Sequence, residues 1–193
     1  SLWRLEDGTP AFPGANDGND WSEIFQNYLA GQVTLARDMT LFLAPYINSY
    51  KRFQSGSFAP TKTVWSRDNR TAGFRVIGRS AGLRVENRLP GADVNPYLAY
   101  AATVAAGLYG IEKELAPMGE VVGNIYKQSD AVDVPLTLRE AITALELSEP
   151  MRRASMEGSS TATLWPNASK EERSSSVMGR LKERPTLTGP VEL

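Results

Sequence analysis

Residues 83–88 alternate charged side chains with apolar or neutral ones, in the order Leu-Arg-Val-Glu-Asn-Arg. In a β-strand, alternate side chains share a face, so Arg84, Glu86 and Arg88 are predicted to point to one side. A carboxylate held between two guanidiniums on a rigid strand is suited to binding a metal ion together with anionic groups. The same pattern is typical of a solvent-facing strand with surface ion pairs, which contribute little to stability. Both interpretations are open on this segment alone.

The chain contains no cysteine and no histidine. Disulfides within the chain, thiolate metal sites and a cysteine nucleophile are therefore excluded, and so are the commonest general base and metal ligand. A metal ion would have to be held by carboxylates, which favours Mg²⁺ or Mn²⁺. No segment approaches the ~18 consecutive apolar residues of a membrane span, and the first residues do not resemble a signal peptide. We expect a cytoplasmic protein with no membrane partner.

Positive charge is concentrated in residues 51–90. This segment has nine basic and two acidic residues, a net charge of +7, whereas the whole chain carries −1. Seven of the nine basic residues are arginine, whose planar guanidinium suits two-pronged binding of carboxylate and phosphate. The segment is therefore predicted to bind an anion. Nucleic acid is one candidate, but the segment has no recognised nucleic-acid motif and few aromatic residues for base stacking. We expect no nucleic-acid partner.

Apolar periodicity and turn residues predict an α+β fold, in which an antiparallel sheet carries the active site and is packed by helices. Helices are predicted over residues 21–44, 95–115 and 137–148, and strands over 63–65, 73–77 and 83–88. The connections between the strands are short, which favours antiparallel pairing. Residues 149–193 are Ser-rich and aperiodic. They are predicted to form a poorly ordered tail after a domain of residues 1–148.

Four short segments with arginine or asparagine occur in order along the chain. They are Asn48-Ser49-Tyr50-Lys51-Arg52, Asn69-Arg70-Thr71-Ala72, Arg84-Val85-Glu86-Asn87-Arg88 and Asn95-Pro96-Tyr97-Leu98-Ala99. In order and spacing they resemble the motifs of the C-terminal catalytic domain of the glutamine synthetase family, and the resemblance covers roughly residues 1–148. The residues after Arg88, Leu-Pro-Gly-Ala-Asp, are similar to the γ-glutamylpolyamine (γ-glutamylputrescine) synthetase branch of that family.

The resemblance implies an ATP-dependent ligase that uses ATP and Mg²⁺ or Mn²⁺. ATP phosphorylates the γ-carboxylate of glutamate, and an amine then displaces phosphate from the acyl phosphate. By position, Glu86 matches a metal ligand of the family. The remaining matches bind glutamate (Arg52, Arg88) or ATP and phosphate (Ser1, Arg70, Arg75, Arg84), with catalytic roles implied for Arg70, Arg75 and Arg88. Phosphoryl transfer depends mainly on positioning and on neutralising oxygen charge, which such a set of residues offers.

Phe58 departs from the pattern of the ammonia-using members of the family. Those members carry a glutamate before Ala-Pro in this loop, and that glutamate helps to bind and deprotonate ammonium. An aromatic ring at the same position removes a cation site and adds apolar surface. We therefore expect the acceptor to be an alkyl amine or a polyamine such as putrescine. The alternative is an ammonia-using glutamine synthetase in which Phe58 only packs within the loop.

The resemblance further implies that the chain is a fragment. The glutamates and the histidine that complete the metal site in the family, and a small N-terminal domain, would precede residue 1. We therefore expect this chain to be inactive alone and the full-length protein to form a homo-oligomeric ring. A non-catalytic relative that serves as an assembly subunit is the other possibility. The helical C-terminus of the family is not recognisable after Met151, and an altered reading frame is one hypothesis for that change.

Overall fold

Over residues 1–14 and 21–156, which the computed structural model describes, the chain forms five α-helices and one three-stranded sheet. Of residues 154–156 the backbone alone is described. The elements are α1 (Glu23–Thr34), α2 (Thr40–Leu43), β1 (Trp65–Arg67), β2 (Phe74–Ile77), β3 (Arg84–Asn87), α3 (Pro96–Glu112), α4 (Leu138–Leu147) and α5 (Glu149–Met156). Short 3₁₀ helices occur at Ile47–Arg52, Ser80–Gly82 and Ile125–Lys127. The residues Ser1–Arg152 form one compact unit, and a second unit begins at Arg153.

The sheet has the strand order β1-β2-β3 and is mixed. β2 and β3 are antiparallel, with Arg75 opposite Glu86. β1 runs parallel to β2, with Trp65 opposite Phe74. The α+β class is confirmed, but the prediction of antiparallel pairing is wrong for β1 and β2, and β1 begins two residues later than predicted.

The return loop of residues 68–73 explains the parallel pairing. Asp68 adopts a positive φ of 45°, which turns the chain sharply after β1. Asn69 Oδ1 then accepts hydrogen bonds from the Thr71 backbone N (3.0 Å) and the Thr71 hydroxyl (2.7 Å). Since β1 has only three residues at about 3.3 Å each, six residues are enough to bring the chain back to its start. Sequence patterns do not show that such a short return is possible.

The helix predicted over residues 21–44 is two helices, α1 and α2. Ser22 caps α1 by accepting a hydrogen bond from the Phe25 backbone N at 3.1 Å. The regular hydrogen-bond pattern is interrupted after Thr34, where Ala36 N bonds to Val33 O and Thr40 N bonds to Arg37 O. Each of these bonds closes a turn of three residues, so the chain turns more tightly before α2 begins.

α3 and α4 begin where their capping residues predict. Asn95 Oδ1 accepts from Tyr97 N at 3.0 Å and is followed by a proline at the first helical position. Thr137 Oγ1 accepts from Glu140 N at 3.2 Å, and the Glu140 carboxylate accepts from Leu136 N at 3.0 Å. These two helices and α1 pack around a core that contains Phe25, Leu29 and Ala106 together with residues of the sheet.

α5 lies within the segment that the sequence predicts to be an aperiodic tail. The helix covers Glu149–Met156, and the Met151 side chain is buried in the core. The first residues of the predicted tail are therefore helical, and the boundary at residue 148 stays a prediction. The rest of that tail lies outside the described residues. No helix in the described part of the chain is long and apolar enough to cross a membrane.

Candidate active site

β3 has the alternation that its sequence predicts. Leu83, immediately before the strand, is buried, and Val85 packs against the core. Glu86 instead forms hydrogen bonds with two arginine side chains. Antiparallel pairing places β2 beside β3, so the charged face of β3 lies next to Arg75 of the neighbouring strand.

Glu86 is held by Arg75 and Arg88. Arg75 Nη1 donates to Glu86 Oε2 at 3.1 Å, and Arg88 Nη1 donates to Glu86 Oε1 at 2.5 Å. Both arginine side chains are largely buried, and Glu86 is 36% exposed. Partial burial raises the pKa of Glu86, but hydrogen bonding and charge attraction from Arg88 and Arg75 outweigh burial and hold the pKa below its ordinary value. The carboxylate is therefore ionised at neutral pH.

Asp68 completes this charge network and was not predicted from the sequence. The Arg75 guanidinium donates to Asp68 Oδ1 through both Nε (3.1 Å) and Nη2. The hydrogen bond to Asp68 is the main cause that raises the pKa of Arg75, against the opposing effect of burial and with help from Glu86. The sequence did contain one signal for this role, namely an acidic residue in the loop between two predicted strands. Only the parallel pairing of β1 with β2 shows that the loop lies beside Arg75.

Arg52, at the end of the 3₁₀ helix Ile47–Arg52, contacts the chain just after β3. Its Nη1 donates to Leu89 O and its Nη2 to Arg88 O, both at 2.7 Å. Burial, followed by repulsion from Arg88, lowers the pKa of Arg52. The two arginines predicted to bind glutamate thus lie in adjacent positions, and both guanidiniums are fixed by hydrogen bonds.

The loop that carries Phe58 adjoins the same cluster. Arg88 Nη2 donates to the Phe58 carbonyl oxygen at 2.9 Å. Phe58 has a positive φ of 60°, and its side chain is exposed, at 69% for the residue. Arg88 therefore connects Glu86 to the backbone of the predicted acceptor loop. We call Arg52, Phe58, Arg75, Glu86 and Arg88 the β2–β3 cluster.

The other predicted site residues lie outside this cluster. Arg70 is exposed and has no hydrogen bond or ion pair within the described residues. Arg84 is exposed and donates from Nη1 to Gly82 O at 3.1 Å. Ser1 is exposed. Arg84 therefore forms a second basic position, and Arg70 a third.

A divalent metal ion needs more ligands than this part of the chain supplies. Within the described residues there is no group of three acidic, histidine or cysteine side chains that could hold a metal ion. Glu86 offers one carboxylate, and both of its oxygens accept hydrogen bonds from arginine. Because Mg²⁺ is bound through about six oxygen ligands, Glu86 does not form such a site with the described residues alone.

A model of the family described as glutamine synthetase, catalytic domain, matches residues 1–176. The chain belongs to the glutamine synthetase family. The predicted family is thereby confirmed, and the match extends beyond the residues 1–148 expected from the motifs.

Curated relatives of the family include ligases for several amines. The chain is 53% identical over 132 residues to the gamma-glutamylethanolamide synthetase GlnA4 of Streptomyces coelicolor, covering 68% of this chain and 28% of that protein. It is 47% identical over 149 residues to the glutamate–isopropylamine ligase of a Pseudomonas species, covering 75% and 32%. For the gamma-glutamylputrescine synthetase PuuA of Escherichia coli the identity is 38% over 138 residues, covering 71% and 29%. The chain thus spans about a third of the length of these relatives.

Solved structures of the family have the same fold. The structure titled "Apo GmaS without ligand" matches with a TM-score of 0.68 and 31% identity, over 91% of this chain and 40% of that one. The structure titled "GmaS/ADP complex-Conformation 1" matches with a TM-score of 0.67 and 29% identity, over 89% and 43%. Both likenesses cover most of the present chain, so the fold is that of the family's catalytic domain.

Proposed function

We propose that this protein is an ATP-dependent glutamate–amine ligase that forms a γ-glutamyl amide. In the first step the γ-phosphoryl group of ATP is transferred to a γ-carboxylate oxygen of glutamate, and ADP leaves. In the second step the amine nitrogen bonds to the acyl carbon, the carbon–oxygen bond to phosphate breaks, and the nitrogen loses a proton. Membership of the family supports this reaction, and three of the relatives are named for the synthesis of such amides or for glutamate–amine ligation.

The position of Arg88 is the observation that carries the proposal. Its guanidinium contacts Glu86 on one side and the Phe58 carbonyl on the other. Its Nε is buried and has no hydrogen-bond partner within the described residues. A guanidinium at this place would neutralise charge on the acyl phosphate close to the loop at which the amine enters.

The remaining arginines divide between the two substrates in this proposal. Arg52 and Arg88 bind the carboxylates of glutamate. ATP and phosphate are bound by Ser1, Arg70, Arg75 and Arg84. Glu86 orients Arg75 and Arg88. If Mg²⁺ or Mn²⁺ were bound, Glu86 would supply one of its ligands. A network of fixed guanidiniums suits phosphoryl transfer because little reorganisation is then needed as charge develops.

Phe58 supports an alkyl amine or a polyamine such as putrescine as the acceptor. The residue presents an exposed aromatic ring and no carboxylate, beside a cluster of guanidiniums. Apolar surface there favours the carbon chain of an amine, and ammonium has no carbon chain to bury against it. An ammonia-using glutamine synthetase is the alternative, since relatives with that name also match, including one from Thermus thermophilus at 38% identity over 161 residues.

A comparison of the reaction rates with different acceptors tests the proposal. The full-length protein is assayed with ATP, glutamate and Mg²⁺, and with ammonium, ethanolamine, isopropylamine or putrescine as acceptor. We expect kcat/KM to be higher for at least one organic amine than for ammonium. A higher kcat/KM for ammonium than for every amine would overturn the assignment.

We also propose that the full-length protein acts as a homo-oligomeric ring in the cytoplasm. Membership of the family supports this proposal. Light scattering of the purified protein measures the assembly, and a monomer at assay concentration would contradict it.

A further inference from the structure

The acceptor loop of residues 54–59 is held at two consecutive carbonyl groups. Arg88 Nη2 donates to Phe58 O and the Tyr126 hydroxyl donates to Ala59 O, each at 2.9 Å. Arg88 belongs to the β2–β3 cluster, but Tyr126 comes from a different part of the chain and has no role in the function proposed above. Two donors from separate parts of the chain thus hold the carbonyl groups of the two peptide units that follow Phe58.

The backbone between these two contacts has little freedom. Phe58 lies in the left-handed region, which is unfavourable for a residue with a β-carbon and persists only when the surroundings hold it. Ala59 is buried and precedes Pro60, whose ring restricts Ala59 to extended conformations. Ser57 Oγ closes the start of the turn by donating to Gln54 O at 2.6 Å. The carbonyl contacts therefore hold the backbone from which the Phe58 side chain projects.

Tyr126 lies in a segment that is itself held by hydrogen bonds and by a buried side chain. It lies in the 3₁₀ helix Ile125–Lys127, whose first turn is capped by Asn124 Oδ1 accepting from Tyr126 N at 3.0 Å. The neighbouring Ile125 is fully buried, and its backbone N donates to Thr71 Oγ1 at 3.2 Å. The 3₁₀ helix is thus hydrogen-bonded to the return loop between β1 and β2. A hydroxyl held in this way can fix the acceptor loop relative to the sheet.

The loop that Tyr126 holds is also bonded to the glutamate side of the candidate site. Arg88, one of the two arginines proposed to bind glutamate, donates to the carbonyl of the residue before the one that Tyr126 contacts. No other tyrosine in the described residues donates to the backbone of this loop.

We propose that Tyr126 is a positioning residue for the amine acceptor: its hydroxyl holds the Ala59 carbonyl and so fixes the Phe58 ring against the carbon chain of the amine. The inference rests on the proposed ligase function. It assigns the residue no contact with the reacting atoms. Its effect is on how well the acceptor is bound, and ATP binding is independent of it.

The test compares Tyr126→Phe with Tyr100→Phe in the full-length protein. Both variants remove one phenolic hydroxyl, and Tyr100 is exposed on α3 with no hydrogen bond from its hydroxyl within the described residues. We expect Tyr126→Phe to raise the KM for the amine by roughly three- to tenfold, the factor expected for one lost hydrogen bond. The KM for ATP should not change. Tyr100→Phe should match the unmodified protein in both constants.

Hydrogen–deuterium exchange gives a second measurement that needs no activity. Backbone amides of residues 54–59 should exchange faster in Tyr126→Phe than in Tyr100→Phe. Unchanged exchange there, or equal increases in the KM for ATP and for the amine, would overturn the inference. Failure of the ligase proposal is distinguishable, because it appears in the unmodified protein as a preference for ammonium. The effect of Tyr126→Phe is then measured by exchange of the same loop, which does not depend on the acceptor.

Discussion

Arg75 of β2 lies directly opposite Glu86 of β3, and its guanidinium joins that carboxylate to Asp68 in the return loop. The register of one antiparallel pair thus brings into contact two residues that are eleven positions apart in the sequence. Arg88 binds the other oxygen of Glu86, so one carboxylate orients two guanidiniums. This relationship makes Glu86 the central residue of the cluster even without a metal ion.

Replacement of Glu86 by glutamine should destabilise the fold. Two largely buried guanidiniums would lose their shared anion, although Arg75 keeps Asp68. The cost expected is about 1–2 kcal/mol, less than for a fully buried pair because solvent screens the half-exposed carboxylate. Urea denaturation measures it. Asp68→Asn is the matched control, since Asp68 is 75% exposed and its loss should cost less than about 1 kcal/mol. An equal decrease in the free energy of unfolding in the two variants would show that the contact between Glu86 and Arg88 does not stabilise the fold.

The Glu86 carboxylate should also make the free energy of unfolding depend on pH in the acidic range. The pKa of Glu86 is lower in the folded protein than its ordinary value of 4.5. The unfolded chain therefore binds the proton more tightly, and the stabilisation is fully present above that ordinary value. It is lost as the pH falls through the lower pKa of the folded state. The free energy of unfolding, measured from about pH 6 to about pH 3, should decline less steeply in Glu86→Gln than in the unmodified protein. Parallel curves would contradict this.

The contact between α1 and α3 predicts the effect of an added methyl group. A Cβ at Gly110 would lie 2.1 Å from Asn27 O and within 2.7 Å of the Gly31 backbone. Alanine gains about 1 kcal/mol of helix propensity over glycine, but the two helix backbones would have to separate. We expect Gly110→Ala to lower the free energy of unfolding by about 1–3 kcal/mol.

Gly119→Ala is the control for that substitution. A Cβ at Gly119 meets no atom within 4 Å, and its φ is not positive. Gly119→Ala should change the free energy of unfolding by less than about 1 kcal/mol, because the folded chain gains no clash and the unfolded chain loses only some freedom. Thermal unfolding of both variants measures the difference. A Gly110→Ala protein as stable as Gly119→Ala would show that the helices do not pack this closely.

Local patterns predicted the starts of α3 and α4 and the alternation of β3 correctly. Asn95 and Thr137 cap α3 and α4, and Leu83 and Val85 face the core. These features depend on residues a few positions apart, so the sequence carries them directly. The family was also recognisable from short motifs, and the family match confirms it.

The contacts that assemble the cluster could not be predicted in the same way. The parallel pairing of β1 with β2 depends on a return loop of six residues with a positive φ at Asp68. The hydroxyl of Tyr126 reaches a carbonyl 67 positions away. No periodicity or charge pattern records such distances. The roles of all the predicted site residues stay predictions, and Arg70, Arg84 and Ser1 lie apart from the β2–β3 cluster.

Phe58→Glu should shift the acceptor preference toward ammonium. A carboxylate at this exposed position provides an anion for the small cation and removes the apolar surface offered to a carbon chain. We expect the ratio of kcat/KM for the amine to that for ammonium to fall by about tenfold or more, which corresponds to about 1.4 kcal/mol. Phe58→Leu is the matched control, because leucine bears the same backbone strain at a φ of 60° but adds no charge. Similar ratios in the two variants would show that charge at residue 58 does not select the acceptor.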